Sequence, residues 1–201
     1  MALTTATLKA AYRKLEGGIG TYFDELNSAD GKLGDGDLGI TLTRASRGIH
    51  EVVDDLPEDV GQAFLKSAQA VTKAASSSFG TLMATGLMAC AKATRGRTEV
   101  PWSEVSGLLD QVLAAMKARG KTDLGMKTVL DPLAACAEAT RGLDDPAALM
   151  AAADRAITET MDAFRDKPAQ VGRARIFGEK SQGLDDPGML AFRRIVDVLK
   201  T

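Results

Sequence analysis

Apolar residues recur every three or four positions along most of this chain, and almost nowhere do they alternate. Leu8, Ala11, Tyr12, Leu15, Ile19, Tyr22, Phe23 and Leu26 follow i, i+3, i+4, i+7 spacing, which predicts one long amphipathic helix over 8–26. The Gly17-Gly18 pair weakens its middle, but the stripe runs through it. A second helix is predicted over roughly 39–54 and is broken by "DDLPED". Pro57 and Glu58 open a third, with Val60, Phe64, Leu65, Ala68 and Val71 facing inward. After "AASSSFGT" an Ala- and Met-rich helix covers 81–94. "PWSEVSGLLDQVLAAMKARG" places Pro101 near a helix start and Gly120 at its stop. Further helices follow at about 126–141, 146–165 and 187–199. The pattern thus predicts eight helices, no convincing strand, and a long polar loop over 167–186 of the kind that often carries function.

Composition supports an all-α reading. The hydrophobic share is 45%, carried by Ala, Leu, Val and Met, while aromatics are only 4%. Such segments favour helices over strands, which draw on β-branched and aromatic residues. No linker divides the chain, so 1–201 is expected to be a single domain, an antiparallel helical bundle with short connections. The 27 acidic against 25 basic residues give no electrostatic case for nucleic acid or an anionic membrane. The start has no apolar signal segment and no run reaches transmembrane length, so a cytoplasmic protein is expected. Cys90 and Cys136 lie in apolar helical patterns, outside any CxxC or zinc spacing, and are expected as buried reduced thiols. His50 is the only histidine and is expected on the surface, which leaves no Ser-His-Asp triad or His-rich metal site.

One stretch departs from this bland picture. Residues 27–41, "NSADGKLGDGDLGIT", crowd Asp30, Asp35 and Asp37 among glycines. Two carboxylates about 4 Å apart repel by roughly 4 kcal/mol at an effective dielectric of about 20, so solvent, protonation or a cation must compensate. "GDGDLGIT" fits the skeleton of a P-loop, but Ile40 stands where the lysine is required and acids fill the phosphate cradle. An EF-hand fails because Lys32 and Gly34 would fall at ligand positions. What remains is D-x4-D-x-D on a Gly-rich turn beside a helix N-terminus. It is either a solvated acidic turn that caps the next helix, or a set of hard oxygen ligands suited to Mg²⁺ shared with phosphates.

Three other loops carry weaker signals. Ser76-Ser77-Ser78-Phe79-Gly80-Thr81 precedes a helix, where hydroxyls and free N–H groups bind phosphate or merely cap. "GMKTVLD" (125–131) puts Thr128 at another helix start, and Lys127 there either reaches a phosphate or is a solvated surface lysine. "GRARIFGEKSQGLDDPG" (172–188) mixes Arg173, Arg175 and Lys180 with glycines, and the planar fork of arginine suits phosphate.

Taken together and in this order, the four loops resemble the nucleotide-binding L subunit of dihydroxyacetone kinases. "GDGDLG" stands for that family's G-D-[GA]-D-H-G, "GMKTVLD" for its G-D-K-T-M-x-D, and "GRARIFGEKSQGLDDPG" for G-R-A-x-x-x-G-E-R-S-x-G-x-x-D-P-G. The resemblance covers nearly the whole chain. It implies a closed antiparallel barrel of eight helices with ADP or ATP at one rim. Asp30, Asp35 and Asp37 would hold two Mg²⁺ ions against the phosphates, and Arg173 would join them in catalysis. Ser77, Ser78, Gly80 and Thr81 would contact phosphates. Leu38, Gly39, Gly120, Thr128, Val129, Arg173, Asp186 and Pro187 would surround the nucleotide. The substrate, dihydroxyacetone or another short ketose such as a tetrulose, would sit on a separate K subunit whose histidine binds it covalently. His50 does not match that role. A phosphotransferase-system protein is a possible phosphate donor, and the expected assembly is a homodimer. Two departures stand out: Leu38 replaces the family histidine and Met126 replaces an acid. Two other readings stay open, the nucleotide domain of a fatty-acid-kinase-like system and a non-catalytic Mg-nucleotide regulator.

Overall fold

The computed structural model describes residues 2–200. Among these described residues nine α-helices form: α1 (Thr5–Gly18), α2 (Phe23–Leu33), α3 (Leu38–His50), α4 (Val60–Ala74), α5 (Ser78–Ala93), α6 (Val105–Gly120), α7 (Leu130–Ala139), α8 (Pro146–Arg165) and α9 (Pro187–Lys200). Three 3-10 segments, Ile19–Tyr22, Trp102–Glu104 and Arg173–Ser181, join or follow them. From α3 onward each helix packs against the next in sequence, and α9 returns to α1 and α2.

The predicted count of eight is corrected at the N-terminus. The 8–26 stripe is continuous, but the helix breaks after Gly18 and turns through Ile19–Tyr22 before α2 starts. At that break a Cβ on Gly18 would come within 2.7 Å of Val198 Cγ1, so α1 and α9 approach as closely as a glycine permits. The expectation of no strand is corrected as well. Ala2–Thr4 (β1) pairs antiparallel with Glu99–Pro101 (β2), with Leu3 opposite Val100.

Capping decides the other boundaries. Asp59, rather than Pro57 or Glu58, opens α4: its side chain accepts from Gln62 N at 2.9 Å, and its other oxygen accepts from Gly96 N at 2.9 Å. Asp145 caps α8 with Pro146 in its first turn. The helix predicted from 126 starts only at Leu130, because Gly125 and Lys127 both hold positive φ (84° and 59°). Cys136 is buried and Cys90 partly buried, and both are free thiols. His50 ends α3 and is exposed.

The two largest apolar clusters among the described residues lie around Leu8, Ile49, Val60 and Phe64 and around Leu26, Leu42, Ile157 and Met189, with smaller ones around Leu130 and Leu33. Leu26 is fully buried, and such a side chain contributes about 1.5–3 kcal/mol by its removal from water. Between the clusters lies a cavity of about 260 Å³ with an almost wholly apolar wall, including Leu42, Met83, Leu109 and Phe192. No helix among the described residues is long and apolar enough to cross a membrane.

Candidate active site

The aspartates do not share one flexible loop. Asp30 lies in the last turn of α2, one turn after Asn27, and both side chains reach across to the segment that follows. Asn27 Oδ1 accepts from Gly39 N at 2.8 Å, which caps the start of α3 from the neighbouring helix. Asp30 Oδ2 accepts from Asp37 N at 2.9 Å. The turn Gly34–Asp37 is therefore pinned at two points. Its glycines are required by close approach: a Cβ on Gly34 would lie 2.4 Å from Asp30 Oδ1, and one on Gly39 would lie 2.4 Å from Phe23 O. Gly36 adopts φ +77°, open to glycine without strain.

The outcome is a cluster in which one carboxylate oxygen from each of Asp30, Asp35 and Asp37 lies within 4.8 Å of the others. Asp30 and Asp37 are half-buried and Asp35 is exposed. Three such charges repel pairwise by about 3–4 kcal/mol at an effective dielectric of about 20. Two positive features face them. The guanidinium of Arg173 pairs with Asp35, and the N-terminus of α3 follows Asp37 directly. Asp30 spends one oxygen on a backbone N–H and Asp35 pairs with Arg173 through Oδ2, which leaves the other oxygen of each and the carboxylate of Asp37 as hard donors. The donor set, its spacing and its partial exposure fit a small divalent cation with open positions for a second ligand.

A cavity of about 210 Å³ opens on this cluster. Its walls bring together Asp30, Asp35, Asp37 and Leu38 with Ser77 and Ser78 of the α5 start. Thr128, Val129, Arg173, Asp186 and Pro187 complete it from the far side. Thr81 and Gly120 line an adjoining cavity of about 420 Å³ that shares Ser78, Thr128 and Val129 with the first. Gly39 and Gly80 are buried behind these walls. Gly80 is there because a Cβ would meet Ala75 O at 2.2 Å.

Ser77 is the N-cap of α5. Its Oγ accepts from Gly80 N at 3.1 Å and from Thr41 Oγ1 at 2.9 Å. With both lone pairs used, its own proton is free to be donated into the cavity. Thr41, one turn into α3, thus aligns a hydroxyl of α5. Leu38 is buried at the cavity edge and packs into the second core cluster, a hydrocarbon where the family pattern has histidine.

The far wall is held by residues whose roles the sequence conceals. Lys127 is neither a phosphate ligand nor a surface lysine. It is 1% exposed, and its ammonium donates to the carbonyls of Arg165 (2.8 Å), Lys167 (2.8 Å) and Ser181 (2.9 Å). Burial pushes its pKa down, while Asp186, Asp185 and Asp166 oppose that shift. Asp131 folds the preceding turn by accepting from Gly125 N at 2.6 Å and Thr128 N at 2.7 Å. Ser181 Oγ accepts from Ala169 N at 2.8 Å and donates to Gly178 O at 2.6 Å. Leu33, at the end of α2, is buried against Ala169, Ala174, Phe177 and Leu184. The segment predicted as a loop is therefore a folded strap over the cavity mouth, with Arg173 on its inner edge and Arg175 and Ile176 exposed. Asp186 caps α9, accepting from Met189 N at 2.9 Å.

A family model described as DAK2 domain matches residues 32–201. The chain belongs to the DAK2 domain family. Within it, the chain is 29% identical over 182 residues to the ADP-binding subunit DhaL of PEP-dependent dihydroxyacetone kinase 2 of Listeria innocua, covering 88% of this chain and 84% of that subunit. It is 30% identical over 189 residues to triokinase/FMN cyclase of Rattus norvegicus, covering 89% of this chain but only 32% of that protein. The crystal structure of the dihydroxyacetone kinase from C. freundii in complex with AMP-PNP and Mg²⁺ superposes with a TM-score of 0.76 at 24% identity. That match spans 100% of this chain and 34% of the kinase, and at this identity it speaks for the fold.

Proposed function

We propose that this chain is the Mg-nucleotide-binding subunit of a kinase that phosphorylates a hydroxyl of dihydroxyacetone or another short ketose held by a separate subunit. The observation that carries the reading is the convergence, on one cavity, of three carboxylates, the Ser77-Ser78 start of α5 and Arg173. Asp30, Asp35 and Asp37 would hold the magnesium, which when bound neutralises phosphate charge and aligns the phosphoryl group.

The chain's own groups do the rest. The Ser77 hydroxyl, fixed by Thr41 and the Gly80 N–H, donates to a phosphate oxygen, and the free N–H groups of the first turn of α5 lie beside it. Arg173 is paired with Asp35 across the mouth, so its guanidinium is in place to meet phosphate oxygens with its planar fork. The strap of 173–181 and the buried Leu33 beneath it shield one side of the cavity from water. Phosphoryl transfer asks mainly for position and charge stabilisation, and this site offers both. The ketose is assigned to the partner on the family resemblance, and the chain's single histidine, His50, lies at the end of α3 and not in the cavity wall. Ile176, 78% exposed on the strap beside Arg175, offers that partner an apolar contact at the mouth.

The test is phosphorylation by the complex of this chain with its substrate-binding partner, with short ketoses and fatty acids offered side by side. Ketose phosphate formed with ATP alone supports the reading and excludes an obligatory bound-ADP route through a phosphotransferase protein. Phosphorylation of fatty acid alone overturns the ketose assignment. A complex whose turnover is unchanged by Asp37→Asn would show the chain to be a non-catalytic nucleotide regulator.

A further inference from the structure

The cavity of about 210 Å³ is lopsided in charge. Asp30, Asp35, Asp37 and Asp186 line it, and among the described residues of its wall Arg173 alone is basic. The Arg173 guanidinium pairs with Oδ2 of Asp35, which belongs to the three carboxylates whose oxygens lie within 4.8 Å of one another. Guanidinium and divalent cation therefore draw on one carboxylate. A cation taken up by Asp35 either displaces the guanidinium or sits beside it, and like charges at such range repel. Phosphate reverses the balance. Its oxygens offer the guanidinium a bidentate partner, which frees Asp35 for the metal.

The pair is open to water: the Arg173 side chain is 54% exposed and that of Asp35 47%. An exposed ion pair is weak, so this one biases a competition without blocking it. The fold of the strap is secured elsewhere. Lys127 donates to the carbonyls of Lys167 and Ser181 at 2.8 and 2.9 Å, and Ser181 Oγ accepts from Ala169 N at 2.8 Å. Ala174 and Phe177 pack on Leu33. Gly172 and Gly178, at φ 69° and 51°, set the turns on either side of 173–177. The guanidinium can thus exchange partners while the chain around it stays folded, and replacing it changes charge rather than fold.

We infer that Arg173 couples magnesium binding to nucleotide binding, holding Asp35 against a lone cation and releasing it to the cation that arrives with phosphate. This rests on the Mg-nucleotide reading above and deepens it. Such coupling is reciprocal: each ligand raises the affinity for the other by the same factor, so metal and nucleotide are taken up together.

Calorimetric titration of the full chain tests this with Mg²⁺ alone and with ADP in saturating Mg²⁺. Arg173→Met removes the charge and keeps much of the side chain's length. It is expected to bind Mg²⁺ alone about 2- to 5-fold more tightly and ADP about tenfold more weakly. Arg173→Lys, which keeps the charge, should stay within about twofold of the unsubstituted chain for Mg²⁺ alone. Arg175→Met removes the same charge from an exposed side chain outside the cavity wall, and should alter neither affinity. Opposite changes for the two ligands in Arg173→Met are an outcome that a damaged fold does not give. Unchanged or weaker binding of Mg²⁺ alone by Arg173→Met overturns the inference. An equal gain with Arg175→Met overturns it as well, since that would mark a diffuse field rather than the pair. An unsubstituted chain that binds Mg²⁺ but not ADP would bring down the nucleotide reading, and this inference with it.

Discussion

Asp30 accepts a hydrogen bond from the backbone N–H of Asp37 at 2.9 Å, so one carboxylate of the cluster fixes the peptide that presents another. The same side chain is asked to shape the turn and to offer charge, and substitutions separate the two tasks. Asp30→Asn keeps a carbonyl oxygen for the Asp37 N–H, whereas Asp30→Ala leaves that donor unpaired. Both variants should lose Mg²⁺-dependent ADP binding by about tenfold or more. Only the alanine variant should also lose about 1 kcal/mol of stability in urea unfolding. Equal stability of the two variants would show that the bond does not hold the turn.

The glycines around the cluster make a sharper test of its geometry. At Gly34 a new Cβ would fall 2.4 Å from Asp30 Oδ1, while at Gly17 nothing lies within 4 Å. Gly34→Ala must therefore displace the carboxylate, and the expected result is a fall of roughly tenfold in Mg²⁺-supported nucleotide affinity. Gly17→Ala, in α1, should leave binding intact and raise stability by roughly 0.5–1 kcal/mol. Calorimetry and thermal unfolding on the two variants check both statements.

The helical stripes of α8 and α9 were legible because Asp145-Pro146 and Pro187 mark their starts and the apolar period is unbroken. The break after Gly18 was not, because the stripe runs on through it, and the residue packed against that glycine, Val198, is 180 residues away in sequence. The cluster Asp30, Asp35, Asp37 was visible as a spacing. Its braces were hidden: Asn27 in a polar run looks like solvent-facing surface, yet it caps α3. Thr41 looks like one more helical position, yet it aligns Ser77. Local pattern reports which face is apolar, while a bond between elements depends on packing that no window of sequence contains.

Lys127 is the extreme case of a role invisible in sequence, since its three carbonyl partners come from residues 38, 40 and 54 positions away. Lys127→Met fills similar space but leaves those carbonyls without a donor. The expected loss is about 2–4 kcal/mol in urea unfolding. Hydrogen exchange should quicken over 167–181, because the ammonium ties that strap to the end of α8. ADP affinity should fall with it, as Arg173 sits on the loosened segment. Unaltered exchange in the strap would show that Leu33 and its apolar neighbours hold it alone.

Asp186 supplies a prediction about pH. Burial pushes its carboxyl up to about 7, although the N–H groups of Met189 and Gly188 and the Lys127 ammonium pull the other way. A carboxyl with a raised pKa in the folded state binds its proton more tightly there than in the unfolded chain. Its contribution to stability is therefore fully present below about 4 and is lost as pH rises towards 7. Asp186→Asn keeps an oxygen to cap α9 through Met189 N and carries no charge to desolvate. In nucleotide-free and metal-free buffer the variant should match the unsubstituted chain near pH 4 and exceed it at pH 8. The gain, discounted for the part of the carboxyl open to water, is on the order of 1–2 kcal/mol. Urea unfolding of both proteins across that range measures the difference. A gap that shrinks as pH rises would mean that Asp186 is stabilised as a carboxylate, and that its neighbours outweigh its burial.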